Sequence, residues 1–389
     1  MRRIELKPGR DGPVRGGHPW IFSGAIASGL EGAEPGEPVE VRAAGGRFLA
    51  AGYCHPHTPI AVRVLTLEDE HVGPALLGRR TDEALALRRA TLPAALRSYR
   101  LVNGEGDRLP GVAVDRYEDF LVCQFLTAGA ARLAPALVEA LVARLGPRGV
   151  FERSEGAVRS EEGLPGARGV LAGEEPPPRL LVQEDGARFL VDVLHGQKTG
   201  FFLDQRESRA RVRALAASRR VLNAFAYTGA IAIVAALGGA VETVSVETSR
   251  PALALAEAAW AENGLAAARG RFVAADVFEF LRATTERYDV IVLDPPPFVR
   301  RRRDLVSGLR GYKDVNLQAL RRLVPGGWLL TSSCSQHLSR AAFREVVAAA
   351  AADAGRTPQI VAQWGHPPDH PVALAHPEGE YLKVLLLRA

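Results

Sequence analysis

The chain has 389 residues, 47% hydrophobic and 24% charged, ordinary globular values that exclude wholesale disorder, collagen-like and coiled-coil architectures. Three widely separated cysteines, Cys54, Cys123 and Cys334, leave neither a disulfide framework nor a four-cysteine metal cluster. The net charge is +5, and 45 of the 49 cations are arginine, a side chain that grips phosphate bidentately but that a GC-rich genome also supplies. The charged start MRRIELKPGR lacks an apolar secretory segment. The longest nearly uncharged apolar run, Ala230 to Val241, is shorter than the ~20 residues that span a bilayer. A soluble cytoplasmic protein with no membrane attachment is therefore expected.

Residues 1–70 carry short alternating runs between Gly and Pro turns: PVEVRA (Pro38–Ala43), RFLAAGY (Arg47–Tyr53) and IAVRVLTL (Ile60–Leu67). They predict a small β-rich module. A central α+β domain is expected over 71–190. It opens with a helix from Pro74 to about Leu96 and continues with a hairpin of Gly111–Tyr117 and Phe120–Leu126. A helix over Leu133–Leu145 follows, and an exposed loop from Glu161 to Pro178. Leu180–Leu194 reads as a hairpin about the favoured Asp185-Gly186 turn.

The third domain, 191–389, alternates strand and helix. Strands are expected at Arg220–Tyr227, Val241–Glu247, Arg271–Asp276, Tyr288–Asp294, Gly327–Ser333, Gln359–Trp364 and Tyr381–Ala389, and Ser249 and Pro251 mark one helix start. Seven such strands define a doubly wound α/β sheet with ligands at the strands' carboxyl ends.

The residues at those ends suggest chemistry. Asn223-Ala224-Phe225-Ala226-Tyr227-Thr228-Gly229 follows the first strand without the G-x-G-x-x-G of dinucleotide folds, which disfavours NAD and FAD. Glu247, Asp276 and Asp294 end the next three strands. Carboxylates commonly cap helices at such places, but three in succession beside Asn223 fit a nucleoside site. Asp294-Pro295-Pro296-Pro297-Phe298 is a rigid turn poor in backbone donors, able to present a carboxylate to a planar amine-bearing base. Cys334 sits among polar residues in Thr331–His337 and is a candidate nucleophile, whereas Cys54 and Cys123 read as small core residues. From residue 300 to 344 ten basic residues, opening with Arg300-Arg301-Arg302-Arg303 and including Lys313, face only Asp304 and Asp314, a pattern that attracts phosphate. His55 and His57, and His366, His370 and His376, lack metal-ligand spacing and read as turn or surface residues; no metal is expected.

These motifs resemble the class I S-adenosylmethionine-dependent RNA methyltransferases. More narrowly, the chain resembles the bacterial 23S rRNA cytosine-C5 methyltransferases built from a PUA domain, a central α/β domain and a catalytic domain. The resemblance rests on HPWIFSGAI (His18–Ile26), GQKTGFFLDQR (Gly196–Arg206), LDPPPF, SSCSQH and DHPVALAHPEGEYLK (Asp369–Lys383), and covers nearly the whole chain. Glu247 stands where that family often has Asp.

The resemblance implies S-adenosyl-L-methionine as cofactor. Asn223, Phe225 and Gly229 would line its loop, Glu247 would hold the ribose, Asp276 and Val277 the adenine, and Asp294 would border cofactor and base. Cys334 would add to cytosine C6 while Asp294 holds the base. The partner would be 23S rRNA or a large-subunit assembly intermediate, with Arg300–Arg303 and Lys313 on its backbone. An exposed strand edge in the small domains offers a route to a homodimer. Two other readings compete. One is a base-amino methyltransferase making N-methylguanine or N-methyladenine with Asp294-Pro295-Pro296. The other is a non-catalytic RNA-binding ribosome assembly factor.

Overall fold

A computed structural model describes residues 1–389. The chain divides into two compact units. The first comprises Met1–Pro178, Val193–Gly200 and Pro368–Gly379; the second comprises Arg179–Asp192, Phe201–Pro367 and Glu380–Ala389.

The first unit holds two sheets. Strands Arg2–Leu6, Trp20–Phe22, Ile26–Ser28, Pro38–Arg42, Phe48–Cys54 and Ile60–Thr66 form a six-stranded mixed sheet. Their alternation turns Ile4, Leu6, Val39, Val41 and Val62 into a common core. In the second sheet, Ser98–Asn103, Val112–Tyr117 and Phe120–Phe125 form an antiparallel meander, and Gly149–Ser154 adds parallel to Phe120–Phe125. Helices Pro74–Thr91 and Ala128–Leu145 share that sheet's core. The latter begins five residues before the apolar spacing at Leu133, because Thr127 caps it by accepting from the Ala130 amide.

Two expectations are corrected here. Glu161–Pro178 is not all loop: Ala167–Gly173 pairs antiparallel with Gly149–Ser154 as the sheet's edge strand. With Val170 and Leu171 exposed, its sequence carries no inward-outward alternation to read. Nor are His55, His370 and His376 surface residues; all three are buried. His55 contacts the Glu162 carbonyl, His370 contacts Asp369, and His376 lies 4.3 Å from the Trp20 ring. Local polar partners let the His55 and His370 imidazoles leave water, whereas His376 packs on an aromatic ring.

The second unit is built on seven strands: β1 (Arg220–Ala224), β2 (Glu242–Glu247), β3 (Gly270–Ala274), β4 (Tyr288–Leu293), β5 (Leu323–Ser333), β6 (Gln359–Trp364) and β7 (Lys383–Arg388). Their spatial order is β3-β2-β1-β4-β5-β7-β6, with only β7 running antiparallel to its neighbours. The interior of this sheet is apolar on both faces, Leu222, Val244, Ile291 and Leu329 facing one core and Val221, Val290, Val292 and Leu330 the other. The order of winding reverses between β1 and β4, which run parallel side by side although β2 and β3 intervene in sequence. A cleft opens beyond the strand ends at such a reversal. A hairpin, Leu180–Glu184 and Ala187–Val191, completes the unit, with Asp185 and Gly186 at φ +48° and +76° in its turn.

Candidate active site

The loop after β1 is shaped by three residues with positive φ: Phe225 at +60°, Tyr227 at +47° and Gly229 at +72°. The strand therefore stops at Ala224, three residues earlier than the apolar run in the sequence. Gly229 is required twice over, since a Cβ there would also lie 2.7 Å from Ala256 Cβ. Glu247, at the end of β2, accepts from the Tyr227 amide at 2.9 Å and from the Ser249 amide at 2.9 Å. Its carboxylate thus fixes the loop of β1 while keeping lone pairs for a diol.

Asn223 and Thr228 are buried, and Asn223 Nδ2 and Thr228 Oγ1 have no protein partner. A buried donor without an acceptor is costly, so these two atoms fit a polar group supplied by a ligand. Asp276 N-caps the helix Val277–Ala283, its Oδ1 accepting from the Glu279 amide at 3.0 Å, and Val277 is buried beneath it. The capping explanation and a ligand contact coexist here, because one oxygen serves the helix. Phe225 meets Phe278 and Phe298 edge-on at 6.2 and 6.3 Å, giving the cleft an aromatic wall.

Asp294 follows β4 directly. Its Oδ1 accepts from Gln205 Nε2 at 2.7 Å and Ser332 Oγ at 2.5 Å. The proline turn then runs against the end of β5: the Cys334 thiol donates to the Pro295 carbonyl at 3.8 Å, and Ser335 Oγ accepts from the Val299 amide at 3.1 Å. Tyr312 lies behind. Its hydroxyl accepts from Ser333 at 2.8 Å and contacts Ser335 at 2.9 Å, and its ring packs on Phe298 at 4.7 Å. Burial pushes the Tyr312 hydroxyl above its ordinary pKa, so it serves this network as a neutral donor. Close approach of the helix Leu305–Arg322 needs Gly308, where a Cβ would meet Val299 Cγ2 at 2.4 Å.

Cys334 is half-buried, while Cys54 and Cys123 are buried with their thiols pushed up, by burial, to about 11 and beyond the ordinary range respectively. The accessible thiol thus stands beside the Asp294 turn. Arg300, Arg301, Arg302 and Arg303 are all exposed just past that turn. Lys313 is separate from them, paired with Asp353 at 2.8 Å.

Three contributors escaped sequence reasoning. Gln205 and Ser332 hold Asp294, and Gln205 lay inside a motif already singled out. Arg206, in the same motif, joins Arg209 on Glu184 of the hairpin at 3.2 Å, while Arg209 bridges that carboxylate at 2.6 and 2.7 Å and lies 4.7 Å from the Phe201 ring.

Sheet order, the loop of β1 and the acidic strand ends define a class I S-adenosylmethionine-dependent methyltransferase. A family model described as an S-adenosylmethionine-dependent methyltransferase matches residues 165–388, more than half of the chain, and a PUA-like domain model matches residues 4–67. The chain is 44% identical over 387 residues to a ribosomal RNA large subunit methyltransferase I of Photobacterium profundum, covering 98% of this chain and 97% of that one. The same-named protein of Salmonella arizonae is also 44% identical, with 98% and 96% covered. The chain belongs to the ribosomal RNA large subunit methyltransferase I family. Its fold matches a solved putative methyltransferase from Streptococcus mutans at TM-score 0.85 and 23% identity, with both chains fully covered. A second solved putative methyltransferase, complexed with SAH, matches at TM-score 0.86 and 23% identity over the full length of both. No helix is long and apolar enough to cross a membrane.

Proposed function

We propose that the chain transfers a methyl group to C5 of a cytosine in large-subunit 23S rRNA, with Cys334 as nucleophile. The carrying observation is the half-buried Cys334 thiol, 3.8 Å from the Pro295 carbonyl and thus against the turn that presents Asp294. S-adenosylmethionine supplies the electrophilic methyl. Cytosine C5 is a weak nucleophile, so the protein must raise its electron density. The Cys334 thiolate adds to C6, the C6–S bond forms, and the C5=C6 electrons give C5 enamine character. After methylation the C5 proton leaves, and breakage of the C6–S bond returns the thiolate and restores the ring.

Asp294, fixed by Gln205 and Ser332, would hold the base by its N3/N4 edge. Asn223, Phe225, Gly229, Glu247, Asp276 and Val277 would hold the cofactor, as the loop strain and the orphan donors support. A base reaching this site must be unpaired or flipped from its stack. The exposed Arg300–Arg303 run would follow the backbone beside it. In this reading residues 1–70 are a PUA-like RNA-binding domain, 71–190 a central α+β domain and 191–389 the catalytic domain.

The test is nucleoside mapping of unmodified 23S rRNA, and of an assembly intermediate, after incubation with enzyme and methyl-labelled S-adenosylmethionine. Label in 5-methylcytidine is the expected result. Label in an amino-methylated purine would overturn it and leave Asp294-Pro295-Pro296 as the chemical centre.

A further inference from the structure

Lys383 is one of four lysines in the chain and is 2% exposed. It stands on β7 opposite Ser333 of β5, and its Nζ donates to the Ser335 carbonyl at 2.6 Å. Those two attachments bracket Cys334. The approach to Lys383 is fixed as well: His366 Nε2 accepts from the Tyr381 and Leu382 amides at 3.1 and 2.9 Å, and the Tyr381 hydroxyl donates to Asp204 at 2.7 Å.

An ammonium buried between Leu382 and Val384 has lost its water and needs an anion. The charged groups facing it are Cys334, Arg340 and Glu380. Glu380 is already engaged by Arg340 at 2.8 Å. Tyr312, the other titratable group in contact with Ser333 and Ser335, is held neutral. Cys334 is the remaining source of negative charge. A carbonyl oxygen also binds an ammonium, but it does not cancel the charge.

We propose that Lys383 is the counter-ion of the Cys334 thiolate, a positioning residue that keeps the nucleophile deprotonated; this rests on the reading of Cys334 as nucleophile. The proton balance is simple. The S–H bond of Cys334 breaks and its proton passes to bulk water, while Lys383, already an ammonium, stays as the counter-charge of the thiolate that forms. Addition to C6 consumes the thiolate while Lys383 keeps its proton, and elimination restores the pair. Burial brings Lys383 down to about 8, opposed by Cys334, so the ammonium is the main form at pH 7.

The experiment is the pH profile of Cys334 alkylation by iodoacetamide in the full-length protein, resolved from Cys54 and Cys123 by peptide mapping. In the unaltered protein the alkylation midpoint should fall below the ~8.5 of an ordinary thiol. Lys383→Met should slow alkylation at pH 7 about tenfold, the consequence of a one-unit change in thiol acidity, with S-adenosylmethionine binding retained. Lys383→Arg should recover part of that rate. A midpoint at or above 8.5 in the unaltered protein overturns the proposal even if the Met variant does not fold. So does a cofactor-binding Met variant that alkylates like the parent. The readout needs no methyl transfer, so a coupled Cys334–Lys383 pair alongside label in a purine would remove the C5 reading alone.

Discussion

Ser332 Oγ donates to Asp294 Oδ1 at 2.5 Å, tying the end of β5 to the end of β4. Because Cys334 lies two residues beyond Ser332, this bond sets the span between thiol and carboxylate. Gln205 Nε2 donates to the same oxygen at 2.7 Å. A hydrogen bond to a charged group contributes about 1.5–3 kcal/mol. Ser332→Ala and Gln205→Ala should each lower kcat by roughly ten- to a hundredfold, leaving the Kd for S-adenosylmethionine unchanged. A loss confined to cofactor affinity would contradict this arrangement.

Removal of the thiol is the sharper probe of chemistry. Cys334→Ala should abolish methyl incorporation while calorimetry shows undiminished cofactor binding. Near-normal turnover by this variant would reduce Cys334 to a packing residue.

The arginine run acts through charge. Replacing Arg300, Arg301, Arg302 and Arg303 with glutamine should weaken RNA binding and make its salt dependence shallower by up to ~0.7 in log–log slope for each lost single-strand phosphate contact. Lys313→Gln should alter the slope little, because its ammonium already pairs with Asp353. An unchanged slope in the four-arginine variant would place the RNA path elsewhere.

Glu184 governs stability rather than chemistry. Burial pushes its carboxyl up, but the Arg209 and Arg206 charges outweigh burial and hold it below the ordinary range. Glu184→Gln leaves two guanidinium groups without their carboxylate and should cost about 3 kcal/mol at pH 7. A lowered folded pKa contributes stability above the unfolded value, near 4.3, and loses it as pH falls through the folded value. Urea melts of parent and variant should therefore converge below about pH 4; a constant gap would exclude this linkage.

Much of the catalytic unit is legible in the sequence because its strands are continuous apolar runs bounded by Gly, Pro and acids, and strand ends are where a parallel sheet exposes chemistry. Asp294-Pro295-Pro296-Pro297 could be placed beside Cys334 from strand order alone. What stays hidden is what depends on contacts far apart in the chain. Gln205 reaches Asp294 across 89 positions, and Lys383 reaches Ser335 across 48; no periodicity encodes either. The edge strand Ala167–Gly173 is obscure for a different reason, since a mostly exposed strand leaves no hydrophobic trace. His376, buried on Trp20, shows that a histidine followed by Pro need not lie in a surface turn.

β7 is made after β6 yet lies between β5 and β6. During synthesis the growing sheet must halt at β5 with an open flank, since β6 has no neighbour to join until β7 is threaded in antiparallel. Long-range pairing of this kind closes late and slowly. Lys383 arrives with that closing strand, so the charge beside Cys334 is set only when the sheet is finished. An incompletely folded chain thus carries an ordinary cysteine, and the reactive thiol is a property of completion.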